Sequence, residues 1–286
     1  MRTDELLEHW NTDPSAVVAA AVEMVGPCDV YLGGSLADDL GSVNSDVDLY
    51  CFRADEAGIT PFPVVTTSGD ANLELHVVGV GPALLDGSSL RGLITETEPP
   101  APHRWPLLSP QRFRQMHALY RDRALQAGEV SEAARRAFAP DLLHVYAALR
   151  ATLSAGTLTE DLLMFSGPEH TYTRLYTARL VAESAIDAAL ASRELVNPNP
   201  KWRLLLARRA RFDDGQFPEP GRLLGALFPD ISDSEQAIAL CLRVAAECLG
   251  LVTADGVLRR FPSVRDCAHL VESAVSDYAA AAEPGP

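Results

Sequence analysis

The sequence contains a glycine-glycine-serine motif, Gly33-Gly34-Ser35. Ten residues separate this motif from the first of two acids, Asp46 and Asp48. The motif ends an apolar run that is typical of a buried strand. Consecutive glycines can turn the chain sharply and leave backbone N–H groups accessible. A helix that starts at such a turn presents unpaired N–H groups and the positive end of its dipole, and both favour an anion. These residues therefore predict a phosphate-binding turn close to two carboxylates.

The two acids belong to a predicted strand at 46–53. Side chains alternate between the faces of a strand, so we expect Asp46 and Asp48 on one face and Val47 and Leu49 in the core. Two carboxylates on one face repel each other unless a cation lies between them. Mg²⁺ is the expected ion, because it prefers oxygen ligands and is commonly held by one or two carboxylates together with substrate phosphates.

A third acid, Glu74, lies in a later predicted strand at 73–80. Glu74 and His76 share one face of that strand, and Leu73 and Leu75 share the other. Three acids from two strands, opposite a phosphate-binding turn, would support two-metal displacement at phosphorus. We interpret His76 as a half-buried strand histidine, with metal ligation as the alternative.

In this order and spacing, the motifs resemble those of the DNA polymerase β-like nucleotidyltransferase superfamily, over roughly residues 28–80. The resemblance implies that the glycine-serine turn holds the nucleotide phosphates and that the paired acids bind two Mg²⁺ ions. It also implies that the third acid, at a position where many members have Asp, completes the metal site or deprotonates the acceptor hydroxyl. The implied nucleotide-binding residues are Gly33, Gly34 and Ser35, and the implied catalytic and metal-binding residues are Asp46, Asp48 and Glu74.

The chain is long enough for two domains, with 286 residues of which 47% are hydrophobic. A proline-rich stretch at 81–110 is too interrupted for a continuous element, and we place the domain boundary within it, between Thr97 and Ser109. We predict an α/β (α+β) fold: a small mixed-sheet nucleotidyltransferase domain at 1–100, followed by an all-helical substrate-binding domain at 108–282. In order and helicity, the second domain resembles that of the small-molecule branch of the superfamily, which includes the aminoglycoside adenylyltransferases.

Apolar periodicity and capping residues predict the individual elements. Asp13 and Pro14 mark the start of one helix, with Asp13 as the N-cap and Pro14 in the first turn. Strands are predicted at 28–33, 46–53, 62–66 and 73–80. Helices are predicted at 4–10, 14–25, 109–126, 130–137, 139–154, 158–165, 170–193, 201–212, 232–249 and 264–282.

Lys201 is the single lysine among 24 basic residues, and the others are arginines. A lone ammonium in an arginine-rich chain suggests a site where a compact charge is wanted instead of a planar guanidinium. Arg208 follows seven residues later, two turns along the same helix face. Because the resemblance implies that a basic residue of the second domain binds the triphosphate, we assign Lys201 to the β- and γ-phosphates, with Arg208 as a further candidate. Coding bias is the alternative explanation of the lone lysine.

The net charge of −15 lowers the expectation of nucleic-acid binding, which depends on Lys and Arg that neutralise phosphates. An acidic cleft attracts cations, and this favours a small, cationic, hydroxylated acceptor, although solubility explains the charge equally well. A polar N-terminus and the lack of an eighteen-residue apolar run predict a cytoplasmic protein without membrane contact. The five cysteines lack the spacing of a zinc site or a disulfide scaffold, so we expect reduced thiols.

Together these features predict Mg²⁺-dependent transfer of a nucleoside monophosphate, with ATP as the expected donor, to a hydroxyl of a small molecule, with release of pyrophosphate. Two alternatives stay open: a nucleotidyltransferase that modifies tRNA or a protein, and a nucleotide sensor without turnover. The residues also have ordinary structural interpretations. The glycine turn would serve equally as a plain strand-to-helix connection, and Asp46 and Asp48 as solvated edge-strand residues. We interpret Asp38 and Asp39 as a solvated helix end.

Overall fold

The computed structural model describes residues 2–54, 62–80, 90–95, 102, 105, 107–165 and 167–282. Two compact units make up the chain, Met1–Leu143 and His144–Pro286. The first contains a mixed sheet and the second is helical in its described residues, so the predicted fold class is confirmed. The predicted linker at 81–110 lies largely outside the described residues.

Five strands form the sheet of the first unit, in the spatial order β3-β4-β2-β1-β5. β2 and β4 pair in parallel, and the other neighbouring strands pair in antiparallel fashion. The parallel pair lies at the centre of the sheet, and it carries both Asp48 and Glu74. The strands are β1 Asp29–Leu32, β2 Val47–Arg53, β3 Val64–Ser68, β4 Ala71–Gly79 and β5 Ala124–Gln126.

In chain order, the helices of the first unit lie before β1, between the strands and after β5. The Asp13 side chain accepts a hydrogen bond of 2.9 Å from the Ala16 N–H, and Pro14 occupies the first turn, so the predicted cap of the second helix is confirmed. The helices are α1 Thr3–His9, α2 Pro14–Val25, α3 Gly34–Ala37, α4 Gly92–Thr95, α5 Pro110–Arg121 and α6 Glu129–Phe138.

One face of the sheet forms an apolar core with α1 and α2. Val47 and Leu49 of β2 and Leu73 and Leu75 of β4 are fully buried in this core, as the alternation of side chains predicts. The opposite face therefore carries Asp48 and the other even-numbered residues of these two strands. α6 packs against β2.

The first unit extends beyond the predicted domain boundary at Thr97 to Ser109, since it includes α5, β5 and α6. β5 pairs with β1, with Val30 opposite Gln126, and this pairing ties the chain after α5 into the sheet. The residues of β5 were predicted as the end of a helix at 109–126. That helix ends earlier because Asp122 adopts a left-handed conformation, with φ of 52°.

The second unit is built around two long helices, α8 Thr171–Ser192 and α11 Ser234–Ala254, which pack against each other. The predicted helices at 139–154 and 158–165 form one continuous helix, and a helix at 220–227 was not predicted. Within the described residues, Ile231–Ala254 is long and apolar enough to cross a membrane, and 56% of its most apolar window is buried inside the unit. The remaining helices are α7 Leu143–Met164, α9 Arg203–Asp214, α10 Pro220–Leu227 and α12 Pro262–Ala282.

Arg203, at the start of α9, is buried in an ion-pair network with α8. Its guanidinium donates to both carboxylate oxygens of Asp187, at 2.9 and 2.8 Å, and lies 3.1 Å from Glu183. The Asn197 amide donates to the same Asp187 carboxylate at 2.8 Å. Because Lys201 lies two residues before Arg203, this network fixes the part of the chain that carries the lone lysine.

We expect Arg203→Met to destabilise the second unit by about 3 kcal/mol, because it leaves Asp187 in a partly buried site without its arginine and Glu183 with Arg179 alone. Arg150→Met, at an exposed position of α7, is the matched control and should change stability by less than about 0.5 kcal/mol. Denaturant unfolding of the full chain, followed by far-ultraviolet circular dichroism, measures both. Equal midpoints for the two variants would contradict the expectation.

Candidate functional site

The glycine turn joins β1 to α3 and is anchored to β2. The Gly33 N–H donates to the Asp48 carbonyl at 2.8 Å. A side chain on Gly33 would overlap the ring of Tyr50, so only glycine allows the turn to approach β2 this closely. Gly34 has φ of 55°, in the left-handed region that favours glycine, and it starts α3 with Ser35 buried behind it.

The carboxylate of Asp48 lies directly against Gly34. A Cβ atom on Gly34 would overlap Oδ2 of Asp48, so the backbone of the turn and the carboxylate are in contact. This arrangement brings together the two features that the sequence separates by more than ten residues. An anion held by the first N–H groups of α3 would therefore lie beside a carboxylate, and such a pair needs a cation between them.

Glu74 and His76 lie beside Asp48 because of the register of the parallel strands. Asp48 is opposite Glu74, and Tyr50 is opposite His76. One ligand atom from each of Asp48, Glu74 and His76 lies within 4.8 Å of the others, and Nε2 of His76 is 3.5 Å from Oδ1 of Asp48. All three side chains are partly exposed. Two carboxylates and one imidazole thus converge at an accessible point beside the glycine turn.

Among the described residues, the two carboxylates have no direct ion pair with an arginine or lysine. Within the part of the chain that the structure describes, no arginine or lysine nitrogen lies within 4.0 Å of Asp48 or Glu74, and His76 is the one basic side chain there. Burial raises the pKa of Tyr50, and the negative charge of Asp48 raises it further, while the positive charge of Arg114 lowers it. A cation would relieve this concentration of negative charge.

The structure does not bring Asp46 into this group. β2 begins at Val47, so Asp46 lies one residue before the strand. Asp46 is exposed in the preceding loop, and among the described residues it is not in the group of convergent ligand atoms. The structure brings Asp48 together with Glu74, and it adds His76.

Lys201 and Arg208 are exposed residues of the second unit. Lys201 lies in a short turn of 3₁₀ helix before α9, with Nζ 5.6 Å from the centre of the Trp202 ring. Arg208 lies on α9 and lines an open cavity of about 730 Å³. Their assignment to phosphate binding stays a prediction. Among the described residues, Leu205, Arg209, Arg211 and Gly215 also line the cavity.

Asp38 is buried at the end of α3, contrary to its interpretation as a solvated helix end. Its carboxylate forms an ion pair with Arg121, whose Nε lies 2.9 Å from Oδ1, and lies 3.5 Å from Nε2 of the buried His117. Arg123 binds Asp39 at 2.5 Å. These side chains from α5 and the start of β5 hold α3 in place, so Asp38 and Asp39 support the turn.

Sequence reasoning gave no role to Tyr50 and a minor one to His76. The two rings stack, with centres 4.9 Å apart and planes 17° from parallel, and Tyr50 also contacts Gly33. The available signal was their spacing: each lies two residues after a predicted acid, on the same strand face. What the sequence could not show was the register that places them side by side.

No protein-family model and no curated protein sequence matches the chain. Among solved structures, the chain is similar to a nucleotidyltransferase-like protein from Exiguobacterium sibiricum 255-15. The sequence identity is 13%, the alignment covers 94% of this chain and 91% of that chain, and the TM-score is 0.42. We base the functional proposal on the site residues themselves.

Proposed function

We propose that this chain is a nucleotidyltransferase that moves a nucleoside monophosphate from a triphosphate to a hydroxyl group, with divalent cations and with release of pyrophosphate. The observation that carries the proposal is the contact between the Gly34 backbone and the Asp48 carboxylate, with Glu74 aligned beside it. A phosphate site and a cation site in contact are what phosphoryl-transfer chemistry needs. The motif resemblance supports the same reaction.

In this proposal the glycine turn binds the triphosphate. The first N–H groups of α3, at Gly34 and Ser35, have no acceptor within their own helix and are available to phosphate oxygens. Gly33 positions the turn through its hydrogen bond to β2. Because the turn is anchored to the strand that carries Asp48, the phosphates are held in a fixed relation to the acids.

Asp48 and Glu74 are the proposed cation ligands, and their chemistry fits that role. They are neighbouring carboxylates, both accessible, and without an arginine or lysine partner among the described residues. Bound divalent cations would neutralise phosphate charge and activate the attacking oxygen. Mg²⁺ is the ion expected from the sequence, and two ions are the number expected from the resemblance. Asp46, which lies just before β2, is proposed as a further cation ligand on the basis of the motif resemblance.

Glu74 also has a second proposed role, as the base that removes the proton of the acceptor hydroxyl. An accessible carboxylate next to the reacting phosphate suits that role, because it has to be within hydrogen-bond distance of the hydroxyl. The proposed acceptor is a small hydroxylated molecule, with ATP as the donor. The acidic composition of the chain supports a cationic acceptor over a nucleic acid.

The direct test is incubation of the full chain with α-labelled nucleoside triphosphates and a divalent cation. Separate reactions contain hydroxylated metabolites, aminoglycosides, tRNA or protein as acceptors. We expect label on a small molecule and stoichiometric pyrophosphate. Label on tRNA or protein would contradict the proposed small-molecule acceptor. Triphosphate binding without any pyrophosphate release would contradict the proposed enzyme and indicate a nucleotide sensor.

Lys201→Ala should raise the KM for the nucleoside triphosphate roughly tenfold, because it removes one charged contact to phosphate. Its effect on kcat should be smaller. Lys201→Arg tests whether the compact ammonium matters, since a guanidinium keeps the charge but changes the geometry. Steady-state kinetics at varied triphosphate measure both variants. An unchanged KM in Lys201→Ala would remove Lys201 from the nucleotide site.

A further inference from the structure

His76 adds a nitrogen donor to a pair of carboxylates, and this changes the kind of metal ion that the site prefers. Mg²⁺ takes oxygen ligands almost exclusively, whereas imidazole is a good ligand for transition-metal ions. We propose that Asp48, Glu74 and His76 together form a site for a first-row transition-metal ion such as Mn²⁺, in preference to Mg²⁺. This inference depends on the proposed function only for the role of the ion in the reaction.

The separation of the donor atoms suits a shared ion. Nε2 of His76 and Oδ1 of Asp48 are 3.5 Å apart, which is long for a hydrogen bond between an imidazole and a carboxylate. Two ligands at about 2.1 Å from one ion lie about 3.0–3.4 Å apart in octahedral or tetrahedral geometry. The ligand atom of Glu74 lies within 4.8 Å of both. Small side-chain movements would bring all three onto one ion.

The imidazole is oriented before any ion binds. Its ring stacks on Tyr50, with 4.9 Å between ring centres, and Tyr50 is 5% exposed and packs against Gly33. The strand register places the ring next to the acids on the same face of the sheet. A ligand held by packing loses less conformational entropy on binding. The oriented His76 ring therefore coordinates an ion more favourably than a freely rotating surface histidine would.

His76 is the only basic side chain recorded within 4.0 Å of the two carboxylates among the described residues. In the described residues, neither Asp48 nor Glu74 has an arginine or lysine partner within 4.0 Å. A histidine kept only to balance charge would be replaceable by such a residue. A metal ligand would not be, because lysine and arginine present no lone pair when protonated.

The test is metal binding to the full chain without nucleotide, with Mn²⁺ followed by the electron paramagnetic resonance signal of the free ion and Mg²⁺ added as competitor. We expect wild-type protein to bind Mn²⁺ at least roughly tenfold more tightly than Mg²⁺. His76→Phe keeps a ring on Tyr50 but removes the nitrogen. It should weaken Mn²⁺ binding by roughly tenfold to a hundredfold and change Mg²⁺ binding by less than about threefold.

His269→Phe, at an exposed histidine of α12, is the matched control and should leave both affinities unchanged. His76→Asp is the second variant. It makes the ligand set all oxygen and should shift the preference towards Mg²⁺. Circular dichroism verifies the fold of each variant. A ratio of Mn²⁺ to Mg²⁺ affinity that is the same in wild type, His76→Phe and His76→Asp would overturn the proposal.

The outcome is distinguishable from failure of the proposed function, because binding is measured without turnover. Mn²⁺ binding that depends on His76, together with no label transfer to any acceptor, would support the metal site and contradict the proposed enzymatic function. Label transfer with a metal preference independent of His76 would support the enzymatic function and contradict the metal site.

Discussion

Asp48→Asn should lower kcat for nucleotidyl transfer by roughly a thousandfold, because it removes the negative charge of a metal ligand at the phosphate turn. The substitution keeps the shape of the side chain, so the contact with Gly34 is preserved. Removing one charge from a pair of neighbouring carboxylates relieves repulsion, and the free energy of unfolding should stay the same or rise. A fall in activity without a fall in stability would identify Asp48 as functional.

The control for Asp48→Asn is Glu23→Gln, an equal change of charge at an exposed position on α2. Both variants are compared with wild type in initial rates of pyrophosphate release and in denaturant midpoint. Glu23→Gln should match wild type in both. If Asp48→Asn keeps more than about a tenth of the wild-type kcat, the acid is not a ligand of the reacting metal.

Asp46→Asn tests whether Asp46 binds the metals, as the motif predicts, or lies outside the metal site, as in the structure. The sequence assigns both acids of the motif to the metals, whereas in the structure β2 begins at Val47 and Asp48 alone joins Glu74 and His76. A smaller loss in Asp46→Asn than in Asp48→Asn would agree with that arrangement. Equal losses would mean that the loop before β2 brings Asp46 to the metals when substrate binds.

The faces of the strands could be predicted, because alternation depends only on local geometry. Val47 and Leu49 are buried and Asp48 lies on the other face, as two-residue periodicity requires. The start of a strand is less certain from sequence, because one residue more or less costs a single backbone hydrogen bond. Asp46 was predicted as the first residue of this strand, and in the structure it lies one residue before β2.

Elements that depend on distant contacts could not be predicted. Ala124–Gln126 has the composition of a helix and becomes a strand only because it pairs with β1. The gap between the helices predicted at 139–154 and 158–165 contains Gly156, but α7 runs through it. A side chain there would lie 2.5 Å from Sγ of Cys267, so the glycine allows α12 to pack closely on α7.

Gly34→Ala should have the largest effect on the stability of the first unit, with a loss of about 2–5 kcal/mol. Alanine is strained at φ of 55°, which costs roughly 1–2 kcal/mol. Its Cβ atom would also overlap the Asp48 carboxylate, and such overpacking costs roughly 1–3 kcal/mol. Gly92→Ala is the matched control in the same unit, because a Cβ there meets no atom within 4 Å. Denaturant unfolding of both variants measures the difference.

A double-mutant cycle with Asp48→Ala separates the two causes of that loss. If the overlap with the carboxylate is real, the second substitution removes the carboxylate atoms that the added Cβ would meet. Gly34→Ala should therefore cost roughly 1–3 kcal/mol less in the Asp48→Ala background. The backbone strain at position 34 stays in both backgrounds and cancels from the comparison. Equal costs in the two backgrounds would contradict the contact between turn and acid, and with it the arrangement on which nucleotidyl transfer is proposed.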